Sequence, residues 1–159
     1  FGGSLAIEIA TQLNQQGFDV VQLILLDSWA HYDKRLWTQE FIAHDIYTRV
    51  HELLEKSFIA TTHERERLVQ AMWYRMQMLM QAPPCSSGIP TLLFQATTVL
   101  PEYQALAGEA NGWAGVIEKN RLKVLSLSGS HDTILLDSVD DIIKSTIEIF
   151  HNMGVKEHV

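Results

Sequence analysis

Cysteine is almost missing from this chain. Cys85 is the single one in 159 residues, which excludes an internal disulfide and a cysteine-rich zinc site and fits a reducing compartment. Basic runs are missing too. With a formal net charge of −7, a general nucleic-acid binder is excluded. No apolar stretch approaches the roughly 20 residues needed to span a bilayer. No basic segment precedes the first apolar stretch, so the start does not read as a signal peptide. Internal repeats and low-complexity tracts are absent. What remains is ordinary for a globular chain, 47% hydrophobic and 19% charged, with enough length for one domain or a large piece of one. The expectation is a soluble, cytoplasmic protein.

The chain opens abruptly. Phe1-Gly2-Gly3-Ser4-Leu5-Ala6 enters an apolar helical pattern with no strand ahead of it. Small residues at a helix mouth suit a sharp strand-to-helix turn, where backbone passes close to a reacting group. Leu5, Ile9 and Leu13 recur at helical spacing from Gly3 to Gln16, and Gly17 supplies a stop. Val20 to Leu26 is a nearly unbroken apolar run ending at Asp27. A strand without alternation is usually buried on both faces, as in a parallel sheet under helices. After a polar and aromatic loop, Leu36 to about Phe58 reads as a middling helix. Thr61 with Glu64 forms a capping box for a clearer one, whose stripe runs through Leu68, Val69, Met72, Trp73, Met76, Leu79 and Met80. Ala82-Pro83-Pro84 ends it. Two helices with no strand between them break the alternation, which marks 35–88 as an insertion.

Alternation resumes at Ile89–Ala96, a second buried strand. Thr97–Gly112 is loop and short helix with Pro101 at a first turn, and Leu122–Leu127 is a third strand. Ser128-Gly129-Ser130-His131-Asp132 is a tight loop after it. Ser138 with Asp141 reads as another capping box, opening a last helix through Met153 that Gly154 stops.

In open parallel sheets, catalytic groups gather beyond the C-terminal strand ends. Asp27 ends the first strand there and His131 follows the third. An aspartate can orient a histidine through Nδ1–H, and the histidine then serves a nearby nucleophile. Each residue also has a plain reading: aspartates after strands commonly cap or turn, and His131 is one of seven histidines. His31, His44, His51 and His63 read as surface residues of the insertion, Glu64-Arg65-Glu66-Arg67 as a solvated helix face, and the methionine-rich stripe as core. No metal-ligand spacing occurs. Gly2-Gly3 lacks the glycine-rich fingerprint of a nucleotide-binding domain.

Taken together, Phe1 to Ala10 resembles the stretch after the nucleophilic serine in thioesterase domains of nonribosomal peptide and polyketide synthases, where Gly-x-Ser-x-Gly-Gly leads into an apolar helix. Leu23 to Ser28 resembles that family's acid-bearing strand end. Ile89 to Ala96 resembles its next strand, and Leu125 to Leu136 its histidine loop. The order Ser, Asp, His is that of α/β-hydrolases. The resemblance runs over essentially the whole chain.

It implies an α/β fold, the C-terminal portion of an α/β-hydrolase, with parallel strands flanked by helices and 35–88 as a helical lid. It implies that Asp27 orients His131, that His131 is general base and then general acid, and that Phe1 gives its backbone N–H to an oxyanion hole. The serine would lie just before Phe1, so the chain alone would not run the triad; Ser4 sits a turn beyond the apex, and Ser128 and Ser130 have no elbow. The acid follows the strand after the nucleophile helix, whereas the loop Thr97–Pro101 offers no aspartate, only Glu102 beyond it. That favours the synthase-fused, product-releasing type over a free-standing editing thioesterase or esterase. The implied partner is a phosphopantetheinylated acyl or peptidyl carrier domain, and no metal or redox cofactor is implied. A non-catalytic hydrolase-like module that holds acyl chains or a carrier remains the alternative of another class.

Overall fold

The computed structural model describes residues 2–30, 37–56, 61–81, 87–104 and 108–154. Helix α1 (Gly2–Gln15) closes as a Schellman motif, with Phe18 N–H donating to Leu13 O and Gly17 N–H to Asn14 O. Strand β1 is Leu23–Leu26, three residues shorter at its start than the apolar run. Val20 gives its N–H to Asn14 Oδ1 instead of a ladder partner. Pairing begins where Leu23 N–H reaches Pro90 O at 2.8 Å.

Helices α2 (Gln39–Lys56) and α3 (Thr62–Gln81) follow, with no strand between them among the described residues. The capping box at the head of α3 forms, with Glu64 N–H on Thr61 Oγ1 and Thr61 N–H on Glu64 Oε2, each at 3.3 Å. Strand β2 is Thr91–Ala96, starting after Pro90 because proline has no N–H to give a ladder. A short α4 (Pro101–Gln104) and a 3₁₀ segment, Glu109–Gly115, lead to β3 (Leu122–Leu127). The chain then forms α5 (Ile134–Asp137) and α6 (Val139–Asn152).

The three strands are parallel in the order β1-β2-β3, with Leu23 beside Thr91 and Thr91 beside Leu122. Burial on both faces holds for β2, where five of six residues are buried. It does not hold for β1 and β3, which are half-buried and leave Leu26 exposed. The central strand has neighbours on both sides, whereas each outer strand is covered from one.

Period-two alternation in β2 divides the core between the two faces. Leu93 packs with Ile7 of α1, Leu25, Ala30, Trp113 and Ile117. Leu92, Phe94 and Ala96 pack with Ile134 and, behind it, Ile142 and Ile149 of α6. A separate core lies between α2 and α3: Trp37, Ile42, Ile46 and Val50 against Leu68, Met72, Trp73 and Met76. The stripe read from α3 therefore belongs to a helical pair with its own interior. His44, His51 and His63 are exposed; His31 and Cys85 lie outside the described residues. No helix among the described residues is long and apolar enough to cross a membrane.

The second capping box does not form. Ser138 makes no side-chain cap bond; its hydroxyl donates to Ser128 O at 3.0 Å. The start of α6 is thus tied to the loop after β3 rather than to its own first turn.

Gly3 is fixed by packing. A Cβ there would meet Ser28 Oγ at 2.0 Å, Ser28 Cβ at 2.8 Å and Trp113 at 3.0 Å, whereas one at Gly2 would meet nothing within 4 Å. Gly3→Ala should therefore destabilise by about 1–3 kcal/mol through overpacking, while Gly2→Ala should not. Urea unfolding of the two variants checks this, and equal midpoints would contradict the packing account.

Candidate active site

Asp27 ends β1 with φ 40°, in the left-handed region that aspartate tolerates better than most residues. Its N–H still pairs with Phe94 O at 2.7 Å. The turn points its carboxylate across the end of β2. Its Oδ1 accepts the Ala96 N–H at 2.9 Å and the Asn111 Nδ2–H at 3.1 Å. The side chain is 8% exposed.

His131 arrives from the other side of β2. Strands one removed in a sheet are about 10 Å apart, so a loop must span that gap. The loop after β3 does so through Gly129, at φ 110°, where a Cβ would meet Asp137 Oδ2 at 2.8 Å and the Ile134 backbone at 3.1 Å. Ser130 N–H donates to Thr133 Oγ1 at 3.0 Å and closes the turn. His131 Nδ1 then lies 2.9 Å from Asp27 Oδ2. A carboxylate oxygen only accepts, so Nδ1 carries the proton. The lone pair of Nε2 is left for proton transfer on a ring that is 58% exposed.

The hydrogen bond to Asp27 holds the His131 imidazole above its ordinary pKa, against partial burial; the charges of Asp27 and Asp132 add to the rise and Arg49 opposes it. A base must be neutral to accept a proton. Any reaction that uses His131 as base should therefore lose rate as pH falls through this raised pKa, with its acid limb above the ordinary value of about 6.5. A profile of kcat/KM against pH checks this, and a limb at or below that value would contradict it. Linkage gives the matching sign for stability. The pair's contribution is fully present below about pH 6.5 and is lost as pH rises through the folded-state pKa.

The residues after Asp27 are held by the 3₁₀ segment. Trp113, fully buried, donates its Nε1–H to Ser28 O at 2.7 Å, and Asn111 O accepts the Ala30 N–H at 2.9 Å. Above the site sits a cavity of about 270 Å³ between the Asp27–His131 pair and helices α2 and α3, with Trp29, Ile46, Met72, Met76 and Leu100 in its wall. Tyr103 of α4 joins the helical pair to the sheet side. Its ring stacks on Trp37 at 6.0 Å, meets Phe41 edge-on and lies 5.6 Å from the Arg49 guanidinium. Its hydroxyl donates to Asp45 Oδ1, which also pairs with Arg49 Nε at 3.1 Å.

Of the residues singled out in the sequence, Asp27 and His131 meet. Phe1 lies outside the described residues. Ser4 donates to Ala30 O at 3.2 Å, and the Ser130 hydroxyl is 3.3 Å from that of Thr133. Asn111, Gln95, Trp113, Tyr103, Asp45 and Arg49 escaped sequence reading. Only Asn111-Gly112 carried a signal, as a dipeptide suited to left-handed turns.

A scan against protein-family models and a search of the curated proteins returned no match. Solved structures do match. The NocB thioesterase domain, in covalent complex with a fluorophosphonate nocardicin G analog, aligns at a TM-score of 0.67 and 22% identity over 91% of this chain and 62% of its own. The thioesterase domain SrfTE, described for cyclization of the lipopeptide antibiotic surfactin, aligns at 0.62 and 17% over 92% of this chain and 64% of its own. A four-domain nonribosomal peptide synthetase, holo-AB3403 bound to AMP and glycine, aligns at 0.66 and 20% over 94% of this chain and 14% of its own. The chain spans less than two-thirds of the thioesterase domains it matches. Over that span it has their fold, the α/β-hydrolase fold of nonribosomal peptide synthetase thioesterase domains.

Proposed function

We propose that this chain supplies the acid and base of a synthase-terminal thioesterase. One observation carries the reading: a buried aspartate after β1 and an exposed histidine after β3 are 2.9 Å apart under a largely apolar cavity, in a fold shared with thioesterase domains. In this reading an acyl or peptidyl chain arrives as a thioester on the phosphopantetheine arm of a carrier domain. His131 takes the proton of a serine hydroxyl as that oxygen attacks the thioester carbonyl, then protonates the leaving thiolate. Asp27 holds the imidazole in the accepting tautomer and stabilises the imidazolium. The family resemblance assigns an oxyanion-hole donor to the backbone N–H of Phe1, the residue before α1 in sequence. The serine of this reading is the one that the resembled thioesterase motif carries just before Phe1.

Release then follows attack on the acyl-enzyme by water or by a nucleophile within the chain itself, with His131 as base. The lid assignment of 35–88 is part of this proposal. The interior between α2 and α3 and the methionine and tryptophan side chains over the pair suit a cover that excludes water from the intermediate.

The test uses the full-length polypeptide with an acyl N-acetylcysteamine thioester and, separately, an alkyl fluorophosphonate. Turnover of the first and a stoichiometric covalent adduct with the second, seen by intact mass, are expected. Neither turnover nor adduct would overturn the catalytic reading and favour a module that only holds acyl chains or carrier.

A further inference from the structure

We propose that Asn111 is a positioning residue for the Asp27–His131 pair, locking the aspartate carboxylate so that Oδ2 alone faces the imidazole. This rests on the function proposed above. Aspartate χ2 is a broad, roughly two-fold torsion, and the two oxygens are equivalent acceptors, so tying one of them fixes the angle of the plane at which the other meets the histidine. Oδ1 of Asp27 is tied twice, by Ala96 N–H at 2.9 Å and Asn111 Nδ2–H at 3.1 Å. The first bond comes from β2 along the sheet; the second comes from a different element and fixes the plane of the group. Oδ2 is left for His131 Nδ1.

The Asn111 amide is itself held in the donating orientation. Gln95 Nε2–H donates to Asn111 Oδ1 at 2.9 Å, so Nδ2 must face Asp27. Asn111 is 2% exposed, and its backbone is equally committed, with N–H on Gly108 O and C=O on Ala30 N–H. Three successive left-handed residues, Ala110 (φ 52°), Asn111 (φ 54°) and Gly112 (φ 83°), bring it there. A backbone conformation that most side chains avoid, maintained beside a reactive pair, fits a functional constraint. Asparagine suits the position twice over: it tolerates this backbone, and it offers a neutral donor where a second carboxylate would repel Asp27.

Asn111→Gly removes the donor and keeps the left-handed turn, since glycine adopts that conformation freely. Two readouts are taken. In the full-length polypeptide, kcat for an acyl N-acetylcysteamine thioester should fall about 10- to 100-fold, the scale seen for hydrogen-bond partners that orient metal-ligating side chains, with KM within about two-fold. In the ¹⁵N spectrum of the neutral His131 imidazole, the parent should be in the Nδ1–H tautomer and the variant a mixture with the Nε2–H form. A merely structural role would not move that ratio. Gln95→Met, which leaves the turn backbone untouched, should shift the ratio the same way by less, and it carries the test if Asn111→Gly does not fold. A tautomer ratio equal to the parent's in each folded variant overturns the inference, as does an unchanged kcat in an active polypeptide. If the parent polypeptide has no turnover, the proposed function falls, and the tautomer ratio still decides the role of Asn111.

Discussion

On the proposed function, His131→Ala should lower thioester turnover by the full-length polypeptide about a million-fold, the scale seen when the base of a triad is removed. The size follows from geometry. In the proposed mechanism His131 relays a proton in each half of the cycle, from the serine to the leaving thiolate on acylation and from the incoming nucleophile to the serine on release, and its Nδ1 is engaged by Asp27 at 2.9 Å. Alanine removes both relays, and Asp27, 8% exposed and with Oδ1 already accepting two hydrogen bonds, does not replace them. The ring is 58% exposed, so little packing is lost; the variant should stay folded but unfold at a lower midpoint, because the buried Asp27 Oδ2 loses its hydrogen bond. Single-turnover measurement of thiol release checks the rate. A loss of ten-fold or less in a folded variant would remove His131 from the mechanism.

Asp27→Asn should cost about ten-thousand-fold, the known scale for the acid of such a triad, and this site determines why. Ala96 N–H and Asn111 Nδ2–H both point at Oδ1, so they select the carbonyl oxygen of the introduced amide. Its NH2 must then face His131 Nδ1 and donate to it. The imidazole is driven to the tautomer with its proton on Nε2, which cannot accept one from a nucleophile. The substituted side chain is nearly isosteric, so the fold persists. The ¹⁵N spectrum of His131 should report the Nε2–H form, and kcat should fall with KM little changed. A variant that keeps the Nδ1–H tautomer would contradict the account, whatever its rate.

Much of this arrangement was legible from local patterns. The mostly apolar segment Ile89–Ala96 identified a buried strand, and the stripe through Met72 and Met76 identified a helix, because burial imposes a pattern that sequence records. Thr61 and Glu64 cap as their spacing suggests, being three residues apart in one turn. Ser138 and Asp141 have the same spacing and do not, because Ser138 finds a stronger claim in the carbonyl of Ser128. Strand starts were misread by two or three residues at Val20 and Ile89, where a proline and a side-chain amide withdraw ladder partners.

By itself the sequence determined which segments are apolar and periodic, where they stop, and that an aspartate and a histidine close two of the strands. Those are properties of neighbours in the chain. Tertiary structure alone decided which proton each side chain holds. Asp27 takes its donors from residues 69 and 84 positions away and gives its other oxygen to one 104 away. Hydrogen-bond direction depends on where these atoms meet, and no local period encodes that meeting.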